Sequence, residues 1–206
     1  FRQYLAQQGY VVFTLDNRGS GFRGTAFEGA LYRRMGSIEI EDQVRGVEFL
    51  RSLPYVDARR VGVFGWSYGG YMALMAMVRA PDYFTAGVAG APVTDWRLYD
   101  THYTERFMST PTDNPDGYRD GMVMTHAKQL RGRLLVMHGM ADDNVLFTHS
   151  TALFKTLQDL RKPFEVMPYP GSKHALMRFP NTGPHGYDTV ARFFARTLQE
   201  NTSCRP

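Results

Sequence analysis

Ser67 stands in Gly65-Trp66-Ser67-Tyr68-Gly69, between an apolar run over residues 60–64 and a helical pattern over residues 68–79. A strand that turns directly into a helix leaves little room at the turn and forces its central residue into strained backbone. Gly65 and Gly69 are expected to remove clashes there, and Gly70 to let the helix lie close on a sheet. The turn presents the serine hydroxyl at a helix N-terminus, where the dipole favours developing negative charge. A serine in a tight turn is commonplace, but one between a strand and a helix is a candidate nucleophile. In that geometry the main-chain N–H of Tyr68 becomes an oxyanion donor.

Such a turn needs a buried parallel sheet around it, and the rest of the chain supplies the parts. Residues 10–15, 60–64, 85–89, 134–138 and 164–167 are short, nearly continuous apolar runs, as strands covered on both faces should be. Helical patterns over residues 39–53, 68–79, 148–160 and 186–199 alternate with them. The alternation predicts an α/β fold of the α/β-hydrolase type, a mostly parallel sheet flanked by helices. Residues 94–130, rich in Tyr, Asp, Thr and Pro, break the rhythm. They are expected to form irregular helices and loops at the carboxyl edge of the sheet, where such sheets bind ligands. Residues 1–8 read as the tail of a helix with no strand before it. The chain is therefore expected to be one domain, 1–206, from the C-terminal part of a longer protein whose first strands are missing here.

Composition narrows the function classes. With 206 residues and 43% hydrophobic content, the chain can bury one sizeable core. Its +4 net charge is spread along the sequence, whereas nucleic-acid binding needs clustered Lys and Arg. No run approaches the ~18 to 20 apolar residues of a membrane span, and no signal-peptide pattern opens the chain. Cys204 is the single cysteine, which excludes an intrachain disulfide and leaves the compartment undetermined. The six histidines have no metal-ligand spacing, so neither a metal nor a cofactor is expected.

In this fold the acid and the base follow the nucleophile on loops after later strands. The run over residues 134–138 leads into Gly139-Met140-Ala141-Asp142-Asp143-Asn144, which offers two aspartates that spacing does not separate. One should accept the imidazole N–H, and the other should cap the helix opening near Phe147 or bind turn amides. His174 follows the last strand and is the expected base, with His185 a rival at the start of a helix. His138 is expected to order the acid's loop, and His102, His126 and His149 to be structural or exposed.

Together with Asp16-Asn17-Arg18-Gly19-Ser20-Gly21, Glu41-Asp42-Gln43, Gly70-Tyr71, Ala91-Pro92-Val93, Tyr103-Thr104-Glu105-Arg106 and Val145, these motifs resemble the catalytic domain of the prolyl oligopeptidase family. Trp96, Tyr99, the residues 103–106 and Asp143-Asn144 carry a narrower likeness to its dipeptidyl peptidase IV branch. The resemblance implies removal of N-terminal dipeptides after Pro or Ala, with Ser67, Asp142 and His174 as the triad. It makes Tyr99 and Tyr103, with Trp96, Val93, Val145 and Tyr68, the walls of a proline pocket, and gives Asn144 the carbonyl of the substrate's first residue. By spacing alone Tyr99 and Tyr103 would share a helix face in the core, and Asn144 would be a turn residue. An acylaminoacyl peptidase, a prolyl endopeptidase or an esterase on the same fold stays open.

The resemblance also implies partners beyond these residues. These are a peptide substrate, a β-propeller whose acidic residues bind the free amine, a second oxyanion donor, and a homodimer through the late helices. Cysteines that bridge this domain in animal relatives have no counterpart, which points to a bacterial-type member of cytoplasm or periplasm. Alone, or as an inert piece, the chain is expected to turn over little peptide.

Overall fold

The computed structural model describes residues 1–199, and Cys204 lies outside the described residues. Four strands, β1 (Gly62–Trp66), β2 (Ala86–Gly90), β3 (Arg133–Gly139) and β4 (Glu165–Tyr169), pair in the order β1-β2-β3-β4, all parallel. The helices are α1 (Arg2–Gln7), α2 (Thr25–Glu28), α3 (Ile38–Arg51), α4 (Tyr68–Arg79), α5 (Thr101–Met108), α6 (Pro115–Asp120), α7 (Val123–His126), α8 (Thr148–Asp159) and α9 (Thr182–Phe194). Each strand-to-strand step crosses through helical chain, as parallel neighbours require. Residues 94–130 hold the short α5, α6 and α7 with 3₁₀ turns between, in line with their irregular composition. The last helix starts earlier than expected, at Thr182, and runs into a π turn over Ala195–Gln199.

Side chains of alternate strand residues enter two cores, one on each face of the sheet. Leu134 and Val136 of β3 join Val47, Leu74 and Leu153 from α3, α4 and α8. Leu135 and Met137 join Val88, Val190, Phe193 and Phe194 on the opposite face, under α9. Among the described residues, no helix is long and apolar enough to cross a membrane. A concavity of about 540 Å³ around Arg51, Arg59, Asp82 and Arg131 lies at the amino-terminal ends of the strands, away from Ser67.

Residues 10–15 depart from expectation. They form neither helix nor strand, no described strand pairs with them, and β1 pairs with β2 alone. They lie along α3 instead, where Gln43 Nε2 donates to the Leu15 carbonyl at 3.2 Å and Gly46 leaves room for Phe13 and Leu15. Val11, Val12 and Phe13 remain exposed. An apolar run supplies the side chains of a strand, but the ladder must come from a neighbour.

Candidate active site

Ser67 is the single residue between β1 and α4, with φ 61° and ψ −118°, a conformation L-residues seldom adopt. Its N–H donates to the Gly90 carbonyl at 2.8 Å, and its own carbonyl accepts from Tyr71 N–H at 3.0 Å, so the turn is bolted to β2 and α4. The glycines divide the work unequally. A Cβ on Gly65 would overlap the Gly69 carbonyl, and one on Gly70 would overlap the Gly90 carbonyl, which fixes the close approach of α4 to the sheet. Gly69 itself faces open space, so the clash expected there is absent. Gly65→Ala is therefore expected to destabilise by about 1–3 kcal/mol or more, the range of overpacked sites, while Gly69→Ala stays well below that. Denaturant unfolding of the two variants checks the contrast. Tyr68 opens α4, so its main-chain N–H is among the first-turn donors that no carbonyl within the helix reaches.

The loop that carries Asp142 leaves β3 after Gly139, and the loop that carries His174 leaves β4 after Tyr169. The two loops are tied together: Met140 N–H donates to the Tyr169 carbonyl at 3.0 Å and Ala141 N–H to the Ser172 carbonyl at 3.1 Å. Gly139 has no space for a Cβ because the Ser172 and Lys173 carbonyls lie against it. A further tie was not legible beforehand: Trp66 Nε1–H, one residue before Ser67, donates to the His174 carbonyl at 3.0 Å. These links bring His174 Nε2 to 2.9 Å from Ser67 Oγ and His174 Nδ1 to 2.7 Å from Asp142 Oδ2.

Asp142, 4% exposed, is the aspartate that meets the imidazole. Its Oδ2 also faces His138 Nε2 at 3.1 Å, while Oδ1 accepts the N–H groups of Asn144 at 2.9 Å and Val145 at 3.0 Å. Burial alone would raise its pKa, but donation by His138, His174 and the Asn144 amide prevails, and the carboxyl lies well below its usual range. An ionised Asp142 only accepts, so His174 Nδ1 carries the proton and its Nε2 is left to accept from the serine hydroxyl. Asp143 differs from expectation: it caps no helix, and beside its own main-chain amide its carboxyl holds Lys173 in an exposed ion pair at 2.5 Å.

The remaining histidines lie elsewhere. His185 sits within α9, hydrogen-bonded to the Tyr169 hydroxyl at 3.0 Å. His102 is exposed, and His126 Nε2 lies 2.8 Å from the Asp120 carbonyl. His149 is buried, its Nδ1 accepting from Thr94 N–H at 3.1 Å, and burial lowers its pKa to about 4. His138 is buried behind the acid's loop, with Nε2 2.8 Å from the Val145 carbonyl and Nδ1 2.7 Å from Ser150 Oγ. This accords with a loop-ordering role.

Beside Ser67 the expected pocket residues form one aromatic group. Trp96 is buried and stacks on Tyr103, with centroids 6.0 Å apart, and Tyr99 meets Tyr103 edge-on at 5.5 Å. Tyr68 packs on Trp96 at 5.9 Å, and Val93 and Val145 are buried. Asp100 caps α5 by accepting from Tyr103 N–H at 2.8 Å, which sets the start of the helix that carries Tyr103. Tyr99 is half-buried and its hydroxyl donates to Asn144 Oδ1 at 2.7 Å, leaving the exposed amide its NH₂ group as a donor. Burial raises the Tyr103 pKa to about 12, and burial also raises that of Tyr99.

A parallel sheet with a strained serine between strand and helix, and a histidine and an aspartate on later loops, defines an α/β-hydrolase fold with a serine-hydrolase arrangement. Residues 2–201 match the prolyl oligopeptidase family, and the chain belongs to that family. It is 45% identical to dipeptidyl peptidase 8 of Mus musculus over 205 residues, 98% of this chain and 22% of that protein. To dipeptidyl peptidase 4 of Sus scrofa it is 40% identical over 177 residues, 84% of this chain and 23% of that one. The crystal structure of Porphyromonas gingivalis dipeptidyl peptidase 4 superposes with a TM-score of 0.92 at 42% identity, covering 95% of this chain and 28% of that one. The chain thus spans about a fifth to a quarter of the length of these curated relatives.

Proposed function

We propose that this chain is the catalytic domain of a serine peptidase that releases N-terminal dipeptides after Pro or Ala. The observation that carries the reading is the continuous relay from Ser67 Oγ through His174, at 2.9 Å and 2.7 Å, to Asp142. His174 Nε2 takes the hydroxyl proton as Ser67 Oγ attacks the carbonyl carbon of the scissile bond. The oxyanion is held by the Tyr68 N–H and by a second donor from the part of the protein before this chain. His174 then gives its proton to the leaving amine, and the acyl-enzyme forms as the C–N bond breaks. Water, deprotonated by His174, attacks the ester, and Ser67 recovers its proton as the dipeptide leaves.

The Tyr99 and Tyr103 rings, backed by the buried Trp96, suit a flat pyrrolidine or a methyl group, because fixed aromatic faces reward planar contact. Asn144, its oxygen engaged by Tyr99, offers its NH₂ to the carbonyl of the first substrate residue. In this reading the free amine is bound by acidic groups of a β-propeller in the same protein, and two copies associate through the late helices. The relatives' greater length is compatible with such an added domain.

The test is a substrate panel on the full-length protein: chromogenic Gly-Pro and Gly-Ala, acyl-Ala, and a short ester. Gly-Pro is expected to be turned over best, with blocking of its amine lowering kcat/KM by at least about tenfold, as losing one charged contact should. Preference for the acylated substrate or the ester would overturn the dipeptidyl reading while leaving the hydrolase intact.

A further inference from the structure

Glu39 is the most deeply buried carboxylate among the described residues. It is 0% exposed, and no cation pairs with it among the described residues. A buried carboxylate is costly unless donors surround it. Here Gly36 N–H donates to both oxygens at 3.0 Å, and the Tyr68 hydroxyl donates to Oε1 at 2.5 Å. The first contact is an ordinary helix-start device, since Glu39 lies in the opening turn of α3. The second reaches across to the residue immediately after Ser67, and helix capping gives no reason for it.

We propose that Glu39 is a positioning residue for the serine site. It anchors the Tyr68 ring, and thereby the peptide that carries the oxyanion donor and one wall of the aromatic slot. The proposal rests on the reading of Ser67 as the nucleophile. Tyr68 is held at both ends: its main chain follows the strained Ser67, and its hydroxyl ends on a buried charge. Between them its ring packs on Tyr71 at 5.7 Å and on Trp96, which stacks in turn on Tyr103. Burial and the neighbouring Glu39 hold the Tyr68 phenol far above its ordinary pKa, so it stays a donor. Fixing that ring fixes the slot.

The experiment compares full-length wild type, Tyr68→Phe, Glu39→Gln and the double variant. Three quantities are read: the rate of fluorophosphonate labelling at Ser67, the kcat/KM ratio for Gly-Pro against Gly-Leu, and Tm. Tyr68→Phe is expected to slow labelling about 10- to 100-fold, as loss of a hydrogen bond to a charged group does. It should also reduce the Pro-over-Leu preference by about tenfold, the scale of one misfitted group in a pocket. Glu39→Gln keeps an acceptor for both donors and should hold the preference. The double variant carries no stranded charge but still lacks the anchor, so its labelling should stay slowed and its preference reduced, and it decides the matter even where Tyr68→Phe does not fold. Labelling and preference within twofold of wild type in Tyr68→Phe and the double variant, whatever their Tm, would make Glu39 a helix cap only. A wild type unlabelled at Ser67 would instead remove the nucleophile reading, and the proposal with it.

Discussion

Replacing Ser67 by alanine is expected to abolish labelling by a fluorophosphonate probe and to lower kcat on the order of 10⁶-fold, the scale of losing a triad nucleophile. The side chain carries no structural duty that would confuse the result. Among the described residues its Oγ has one hydrogen-bond partner, His174 Nε2, and the turn is held by main-chain bonds to Gly90 and Tyr71. Alanine meets the same positive φ as serine, so Tm should move little while turnover disappears. Mass spectrometry of the labelled peptide locates the adduct. Undiminished labelling in the variant would refute Ser67 as nucleophile. The residual rate, from substrate binding and the oxyanion donors, should still exceed the reaction in water by about 10³- to 10⁴-fold.

What could be read from the sequence is what depends on near neighbours. The β1–Ser67–α4 turn was legible because its closest steric conflict, Gly65 against Gly69, lies within four residues, and α4 spans residues 68–79 as its pattern predicts. His174 was legible because the fold dictates which strand precedes the base. Residues 10–15 were not, because a strand depends on a partner elsewhere in the chain, and only their side-chain pattern is local. The choice between Asp142 and Asp143 turns on a loop 32 residues away, where His174 meets the one and Lys173 the other. Gly69 shows the opposite error: a motif position credited with a steric need that its surroundings do not impose. Glu39 and the Trp66 tie were missed for one shared reason. Each reaches by a side chain to a segment remote in sequence, and no periodicity records such contacts.

Asp142→Asn is expected to cost about 10⁴-fold in kcat with the fold retained, as when a triad carboxylate loses its charge but keeps its shape. The surroundings of this residue make the effect severe. Four donors converge on it: the Asn144 and Val145 amides on Oδ1, and His174 Nδ1 and His138 Nε2 on Oδ2. An asparagine can turn only one oxygen toward them. If that oxygen keeps the amides, its NH₂ faces the imidazoles, and His174 must shift its proton to Nε2 to accept from it. The nitrogen that should receive the Ser67 proton is then occupied. If the amide flips, its NH₂ meets two main-chain N–H groups instead. Those buried donors are left unpaired at about 1–3 kcal/mol each, which lowers Tm as well. Asp143→Asn supplies the contrast, because its exposed pair with Lys173 should leave kcat/KM within about twofold of wild type. Steady-state kinetics corrected by active-site titration separate the two outcomes. Equal losses in both variants would mean that the imidazole does not rely on Asp142 for its tautomer.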